Sequence, residues 1–85
     1  MYYIYAIKSI NKDFLYIGST DNLKRRFEEH NGGNQKATKF YAPYKLVYYE
    51  AYTSKKDALI REKLLKHHGS VIGHLKRRIK NSLDE

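Results

Sequence analysis

Three short segments of β-branched and aromatic residues constrain the fold of this chain most, because none of them alternates cleanly between apolar and polar positions. The segments are residues 2–8 (YYIYAIK), 14–19 (FLYIGS) and 45–52 (KLVYYEAY). A strand that is apolar on both faces has to be covered on both faces, whereas a strand that alternates can leave one face in water. The pattern therefore predicts a small sheet with helices packed on each side.

Turn and helix signals between these segments predict the connections. A loop of about five residues around 11–13 joins the first two segments into a hairpin. A helix over about 21–31 follows, with Thr20 or Asp21 as its N-cap. Residues 32–43 (GGNQKATKFYAP) then form a long loop before the third strand, and a loop of this length is often functional.

Two further helices are predicted after the third strand. Ser54 followed by Asp57 resembles a capping box and starts a second helix that ends before Gly69. Ser70 starts a third helix, in which apolar residues recur every three or four positions. The predicted order is ββαβαα, an α+β (α/β-class) fold in which helices flank a three-stranded, largely antiparallel sheet. We expect residues 1–85 to form a single domain.

Composition indicates a polyanionic partner. The chain has 17 Lys and Arg against 9 Asp and Glu, which gives a formal net charge of +8. Nucleic acid is the first expectation for so basic a domain, although a basic chain that only needs solubility has the same count. The absence of cysteine excludes disulfides and thiolate chemistry and fits a cytoplasmic protein. No apolar run approaches the ~20 residues that span a bilayer, so we expect no membrane partner.

Helical phase distinguishes two adjacent arginines in the first predicted helix. Leu23 and Phe27 mark its buried stripe, and His30 continues that stripe. At about 100° per residue, Arg26 falls within about 60° of Leu23, whereas Arg25 falls about 200° away and faces water. Arg26 and His30 are therefore candidate site residues. The alternative is structural, with Arg26 lying along the core edge and His30 favourably placed at the helix C-terminus.

A carboxylate interrupts the apolar arc of the second predicted helix. Glu62 falls within the arc formed by Ala58, Leu59 and Leu65. A carboxylate on an apolar face is costly unless it is paired, protonated or bound to a metal. Glu62 is therefore a candidate site residue, and the alternative is an ion pair with Lys66 one turn later.

Several basic side chains are candidates for phosphate contacts. The candidates are Lys39 in the long loop and Lys66, Arg77, Arg78 and Lys80 in the C-terminal third. A solvated helix face would look the same. Thr38, beside Lys39, could also contact a substrate, and the three histidines after residue 66 suit a basic surface better than a metal site.

Four motifs together resemble the GIY-YIG nuclease superfamily. They are Tyr3-Ile4-Tyr5, Tyr16-Ile17-Gly18, residues 22–30 (NLKRRFEEH) and residues 58–66 (ALIREKLLK). Their order and spacing match over about residues 2–70. The chain most closely resembles the small stand-alone bacterial members, and it is also similar to the N-terminal nuclease domain of the excision-repair incision enzyme.

The resemblance implies roles for particular residues. Tyr5 and Tyr16 match the motif tyrosines, Arg26 and His30 match the motif arginine and histidine, and Glu62 matches the glutamate that holds a divalent ion. Gly18 matches the glycine that lets the backbone come close to its neighbours. Ser19 departs from members that have a lysine at this position.

The resemblance implies a metal-dependent endonuclease, using Mg²⁺ or Mn²⁺, that cleaves nucleic acid, preferably DNA, in repair or recombination. Hydrolysis of a phosphodiester needs an activated water, charge stabilisation on the phosphoryl oxygens and help for the leaving oxygen. Tyrosine, arginine and a metal-bound carboxylate can supply these functions. Two alternatives are a catalytically weak nucleic-acid-binding module and a subunit that depends on a protein partner.

Overall fold

A three-stranded antiparallel sheet forms the centre of the computed structural model, which describes residues 1–85. Its strands are β1 (Tyr2–Ser9), β2 (Leu15–Thr20) and β3 (Tyr44–Tyr52). The order is β2-β1-β3, and β1 pairs antiparallel with both neighbours. The predicted sheet and hairpin are confirmed, and every strand pair is antiparallel.

Four helices accompany the sheet. They are α1 (Leu23–Asn31), α2 (Lys55–His67), α3 (Gly69–Arg78) and α4 (Lys80–Asp84). The predicted order ββαβαα is confirmed, but the third predicted helix is divided at Ile79, whose φ of −106° and ψ of 26° interrupt the helical backbone. None of the helices combines the length and the apolar character that crossing a bilayer requires.

The start of α1 differs from the prediction. Asn22 is the N-cap, and its side chain accepts a hydrogen bond from the backbone N–H of Arg25 at 3.1 Å. Thr20 is instead the last residue of β2, where its hydroxyl accepts from the N–H of Asn22 at 3.1 Å. Neither Thr20 nor Asp21 caps the helix, because the Thr20 hydroxyl holds the turn between β2 and α1. Ser54 caps α2 as predicted.

Two hydrophobic clusters lie on opposite faces of the sheet. Ile4 and Ala6 of β1 pack beneath α2 and α3, in a cluster that also contains Ile17, Ala58, Leu65, Leu75 and Ile79. Tyr5 and Ile7, which alternate with them, point to the other face and pack with Tyr44, against which Leu23 and Phe27 of α1 are partly buried. Helices cover both faces, as the apolar strands predicted, and the chemistry-bearing residues Tyr5 and His30 lie on the α1 side.

Candidate active site

Tyr5 and Gly18 face each other across the first two strands. The register pairs Tyr5 of β1 with Gly18 of β2. A Cβ atom at position 18 would overlap the Tyr5 hydroxyl and would lie 3.1 Å from the Tyr16 ring. Position 18 therefore requires glycine, because the Tyr5 side chain passes directly over its backbone. The two tyrosine rings lie with centroids 6.4 Å apart.

His30 joins Tyr5 to the long loop. It is buried on α1, with 1% of its surface exposed. Its Nε2 lies 2.7 Å from the Tyr5 hydroxyl and its Nδ1 lies 2.6 Å from the Thr38 hydroxyl, which can itself donate to the carbonyl of Gln35. These contacts assign the Nδ1–H tautomer to His30, because Tyr5, His30 and Thr38 then each donate a hydrogen bond to a different acceptor. In that arrangement Tyr5 donates its proton to His30 Nε2.

Thr38 has a supporting role that the sequence did not reveal. It is fully buried, so the expectation that it meets a substrate is wrong. Its hydroxyl faces His30 Nδ1, and its backbone carbonyl accepts a hydrogen bond from the Tyr44 hydroxyl at 2.7 Å. Thr38 and Tyr44 together fix the orientation of the imidazole ring. A threonine among polar loop residues carries no signal of such a contact, because only the folded loop brings it to His30.

Burial shifts the proton affinities of the Tyr5–His30 pair in opposite directions. Burial and the neighbouring Tyr16 raise the pKa of Tyr5, while the Arg26 guanidinium acts to lower it. Burial and Arg26 lower the pKa of His30. At neutral pH both side chains are therefore uncharged, with a protonated phenol beside a neutral imidazole. Such a pair can pass a proton along without holding a permanent charge.

Arg26 and Arg25 have different surroundings. The Arg26 side chain is 32% exposed, and its Nε is buried without a hydrogen-bond partner; Glu29 Oε1 lies 3.3 Å away, close enough for an ion pair but poorly aligned for a hydrogen bond. Arg25 is 57% exposed and pairs with Asp21 at 3.5 Å. Arg26 also lines a cavity of about 250 Å³ together with Ser19. An anion in this cavity would contact the Arg26 side chain, whose guanidinium can donate charge-assisted hydrogen bonds to it.

Glu62 enters the same region from α2. Its side chain is 19% exposed, and its Oε2 lies 3.0 Å from Lys66 Nζ. Its Oε1 accepts a hydrogen bond from the Ser19 hydroxyl at 2.9 Å. Glu62 therefore forms the ion pair with Lys66 and also lies near the site, since Lys66 Nζ lies 5.4 Å from the Tyr16 ring centroid. Ser19, which departs from the lysine of some relatives, orients the carboxylate.

A second ionic contact anchors α2 on the far side of Glu62. Arg61 donates two charge-assisted hydrogen bonds of 3.0 Å and one of 3.2 Å to Glu50 of β3. The hydroxyls of Tyr48 and Tyr52 also donate to Glu50. Burial acts to raise the pKa of Glu50, but the bonds from Arg61 and the two tyrosines outweigh it and lower that pKa. The neighbouring residue Glu62 is thereby held toward β2.

Comparison with known proteins decides the family. The family model described as the GIY-YIG catalytic domain matches residues 1–71. The chain belongs to the GIY-YIG nuclease family. Among its relatives, a UPF0213 protein of Streptococcus pyogenes serotype M3 is 40% identical over 65 residues, covering 75% of this chain and 70% of that protein. A UPF0213 protein of Limosilactobacillus reuteri is 42% identical over 69 residues, covering 78% and 71%.

A solved structure has a similar fold. The solution NMR structure of the UPF0213 protein BH0048 from Bacillus halodurans matches with a TM-score of 0.57 and 28% identity, covering 94% of this chain and 86% of that chain. The relatives and this fold neighbour are all described as UPF0213 proteins. The similarity extends over the strands and helices that carry Tyr5, Tyr16, Arg26 and Glu62.

The metal that GIY-YIG nucleases typically use would have few protein ligands here. No group of three or more His, Cys, Asp and Glu side chains is arranged to hold an ion. The oxygens that would ligate an ion here are those of Glu62 and Ser19, and Lys66 is already paired with Glu62 Oε2. Mg²⁺ prefers oxygen ligands, retains several waters and is commonly held by one or two carboxylates together with substrate phosphates. The donor set therefore fits a magnesium ion that shares its coordination sphere with substrate and water.

The candidate phosphate contacts of this GIY-YIG chain lie in different places. Arg78 lines a separate cavity with Arg61 and His74, Arg77 Nη2 lies 2.8 Å from His74 Nδ1, and Lys80 pairs with Asp84 at 3.8 Å. The structure does not bring Arg77, Arg78 and Lys80 together with the motif tyrosines, Tyr5 and Tyr16. Lys39 is exposed at the start of a 3₁₀ turn.

Another member of the basic cluster in the C-terminal third lies nearer the site. Lys76 of α3 lines a mostly apolar groove of about 340 Å³ that also contains Tyr16 and Lys66. In the sequence Lys76 looks like any other member of the basic run that follows it. Its position beside β2 depends on how α3 packs against α2, which no local pattern specifies.

Proposed function

We propose that this protein is a metal-dependent endonuclease that hydrolyses phosphodiester bonds of nucleic acid, with DNA as the preferred substrate. The observation that carries the proposal is the 2.7 Å contact between the Tyr5 hydroxyl and His30 Nε2. A neutral phenol bonded to a neutral imidazole forms a proton relay. Membership of the GIY-YIG family and the net charge of +8 support nucleic acid as the substrate.

The relay accounts for activation of water without a charged tyrosine. As a water molecule attacks phosphorus, its proton moves to the Tyr5 oxygen while the Tyr5 proton moves to His30 Nε2. The water oxygen forms the new P–O bond, the ester P–O bond breaks, and the leaving oxygen takes up a proton from solvent. His30 ends the step as an imidazolium and then returns its proton to solvent. Thr38 accepts the Nδ1–H throughout and so holds the ring in the required tautomer.

Arg26 stabilises the charge that develops on the phosphoryl oxygens. Its guanidinium presents a planar fork that matches phosphate geometry, and its side chain lines the cavity that it shares with Ser19. A divalent cation held by Glu62, when bound, would add positive charge beside the phosphate and the leaving oxygen. The side chain of Ser19 keeps Glu62 oriented toward that position.

Glu62→Gln tests the proposal. We expect this variant to retain the fold and nearly all DNA affinity but to lose cleavage, because the neutral amide no longer holds a cation. Cleavage should be measured on duplex, single-stranded, branched and RNA substrates, with Mg²⁺, with Mn²⁺ and without metal. If the Glu62–Lys66 ion pair is only structural, we expect the variant to lose about 0.3–0.5 kcal/mol of stability and to keep its turnover.

A nucleic-acid-binding module is the second candidate function. It is favoured by the fact that both carboxylate oxygens of Glu62 already have protein partners, Ser19 and Lys66. Wild-type protein that binds DNA but cleaves no substrate with any metal would support this candidate. Cleavage that appears only after addition of a host-cell protein fraction would instead indicate a subunit that depends on a partner.

A further inference from the structure

The ammonium of Lys66 occupies a position that a divalent cation would need. Glu62 has two carboxylate oxygens, and Ser19 already donates to one of them at 2.9 Å. Lys66 Nζ lies 3.0 Å from the other. A cation that binds Glu62 through Oε2 therefore has to displace Lys66.

Lys66 lies at the edge of the site, where its side chain remains in contact with water. Its side chain is 37% exposed, and its ammonium lies 5.4 Å from the centroid of the Tyr16 ring, at the outer range of a cation–π contact. The paired Glu62 is less exposed, at 19%, so their interaction is less screened than that of a fully exposed pair.

Two cations cannot share one carboxylate oxygen at this distance without strong repulsion. Lys66 has a flexible four-carbon stem, so its ammonium can leave Glu62 at a small cost. The hydrogen bond from Ser19 to the other oxygen does not compete with the exchange and keeps the carboxylate oriented. Lysine and metal ion are therefore alternative partners of Glu62.

We propose that Lys66 competes with the divalent cation for Glu62, so that it weakens metal binding in the free protein and is released toward the substrate phosphates when the cation binds. This inference rests on the proposed metal-dependent function. It makes Lys66 a positioning residue that couples metal loading to the availability of a phosphate-binding cation.

Direct Mn²⁺ binding in the absence of DNA tests the competition. The free-ion electron paramagnetic resonance signal should be titrated for the wild type, Lys66→Met, Lys63→Met and Glu62→Gln. We expect Lys66→Met to bind Mn²⁺ about three- to tenfold more tightly than the wild type, because the competitor is gone. Lys63 is an exposed lysine on the same helix with no acidic partner, so Lys63→Met controls for net charge and should leave the affinity nearly unchanged. Glu62→Gln should abolish binding.

Amine labelling of the wild type provides a readout that does not depend on the folding of a variant. Saturating Mg²⁺ should increase the rate at which an acylating reagent modifies Lys66 several-fold, as measured by mass spectrometry, and should leave the labelling of Lys63 unchanged. In the Glu62→Gln variant, the reagent should modify Lys66 rapidly with or without Mg²⁺.

The outcomes separate this inference from the proposed function. Binding that requires Glu62 but is equal or weaker in Lys66→Met, or that tightens equally in Lys63→Met, would overturn the competition and leave the nuclease proposal standing. A rate of Lys66 labelling that does not change with Mg²⁺ would also overturn the competition. No Mn²⁺ binding in any of the four proteins would contradict both the competition and the metal dependence.

Discussion

At the scale of single residues, Arg25 and Arg26 have the same charge and adjacent positions but different environments. Arg26 is the less exposed of the two, pairs with Glu29 and lines a cavity with Ser19, whereas Arg25 pairs with Asp21 in water. We expect Arg26→Ala to lower turnover by about 10²-fold or more, because it removes transition-state stabilisation. Arg25→Ala should cause only a small, salt-sensitive loss of DNA binding. Turnover should be measured at saturating DNA, and equal losses in both variants would show that the arginines act only as general positive charge.

His30 makes stability depend on pH in a defined direction. Burial, reinforced by Arg26, lowers its pKa below 6.5 in the folded protein. The unfolded chain therefore takes up the proton at a higher pH than the folded chain, so acidification favours unfolding. We expect the free energy of unfolding to fall as the pH decreases below about 6.5, and to fall less steeply in His30→Gln. Urea denaturation across this range measures the slope.

His67 provides the matched control for this pH dependence. It is exposed and makes no side-chain hydrogen bond, whereas His30 is buried. His67→Gln should keep the slope of the wild type. A slope that is the same in His30→Gln and in the wild type would contradict the burial of a neutral imidazole in the folded state.

At the scale of secondary-structure elements, the close approach of β1 and β2 depends on Gly18. We expect Gly18→Ala to cost about 1–3 kcal/mol, because the new methyl group overlaps the Tyr5 hydroxyl, which His30 holds in place. Gly69→Ala is the control, since a Cβ there meets no atom within 4 Å and should change stability by no more than about 1 kcal/mol. Urea denaturation of both variants checks the difference, and equal effects would contradict the predicted overlap.

The elements were predictable where local chemistry specifies them. Runs of β-branched and aromatic residues predicted the three strands, and Ser54 predicted the start of α2. The start of α1 was wrong by one or two residues, because Thr20 and Asn22 both suit an N-cap and only the folded turn assigns them different partners. The interruption at Ile79 was missed because the apolar spacing continues through it.

The site was predictable only in part. Helical phase separated Arg26 from Arg25, since phase is a local property. Tyr5 and Tyr16 were identified as site residues through the family resemblance, because residue type alone does not distinguish them from the other seven tyrosines. The contact between Ser19 and Glu62 joins residues 43 positions apart, and no periodicity in the sequence specifies a contact at that separation.

At the scale of the whole molecule, the net charge of +8 should dominate DNA binding. Each phosphate contact releases counterions, so affinity should fall steeply with salt. We expect joint replacement of Arg77, Arg78 and Lys80 by alanine to weaken binding and to reduce the slope of log K against log[salt] by up to about three. Fluorescence anisotropy with a labelled duplex at several salt concentrations measures both quantities.

A second triple variant controls for charge alone. Lys24, Lys56 and Lys63 are exposed lysines outside α3 and α4. Their joint replacement removes the same charge and should reduce the slope less. If both triple variants behave alike, the C-terminal helices are not a preferred phosphate surface.

The alternation of residues along β1 has a consequence for how this protein can change. Ile4 and Ala6 belong to one cluster, and Tyr5 and Ile7 belong to the other. Substitutions beneath α2 and α3 therefore act on the stability of the fold and on the placement of Glu62, whereas substitutions on the other face act on the Tyr5–His30 contact. An insertion or deletion within β1 is different in kind, because shifting the strand by one position would exchange the two faces and disrupt both at once.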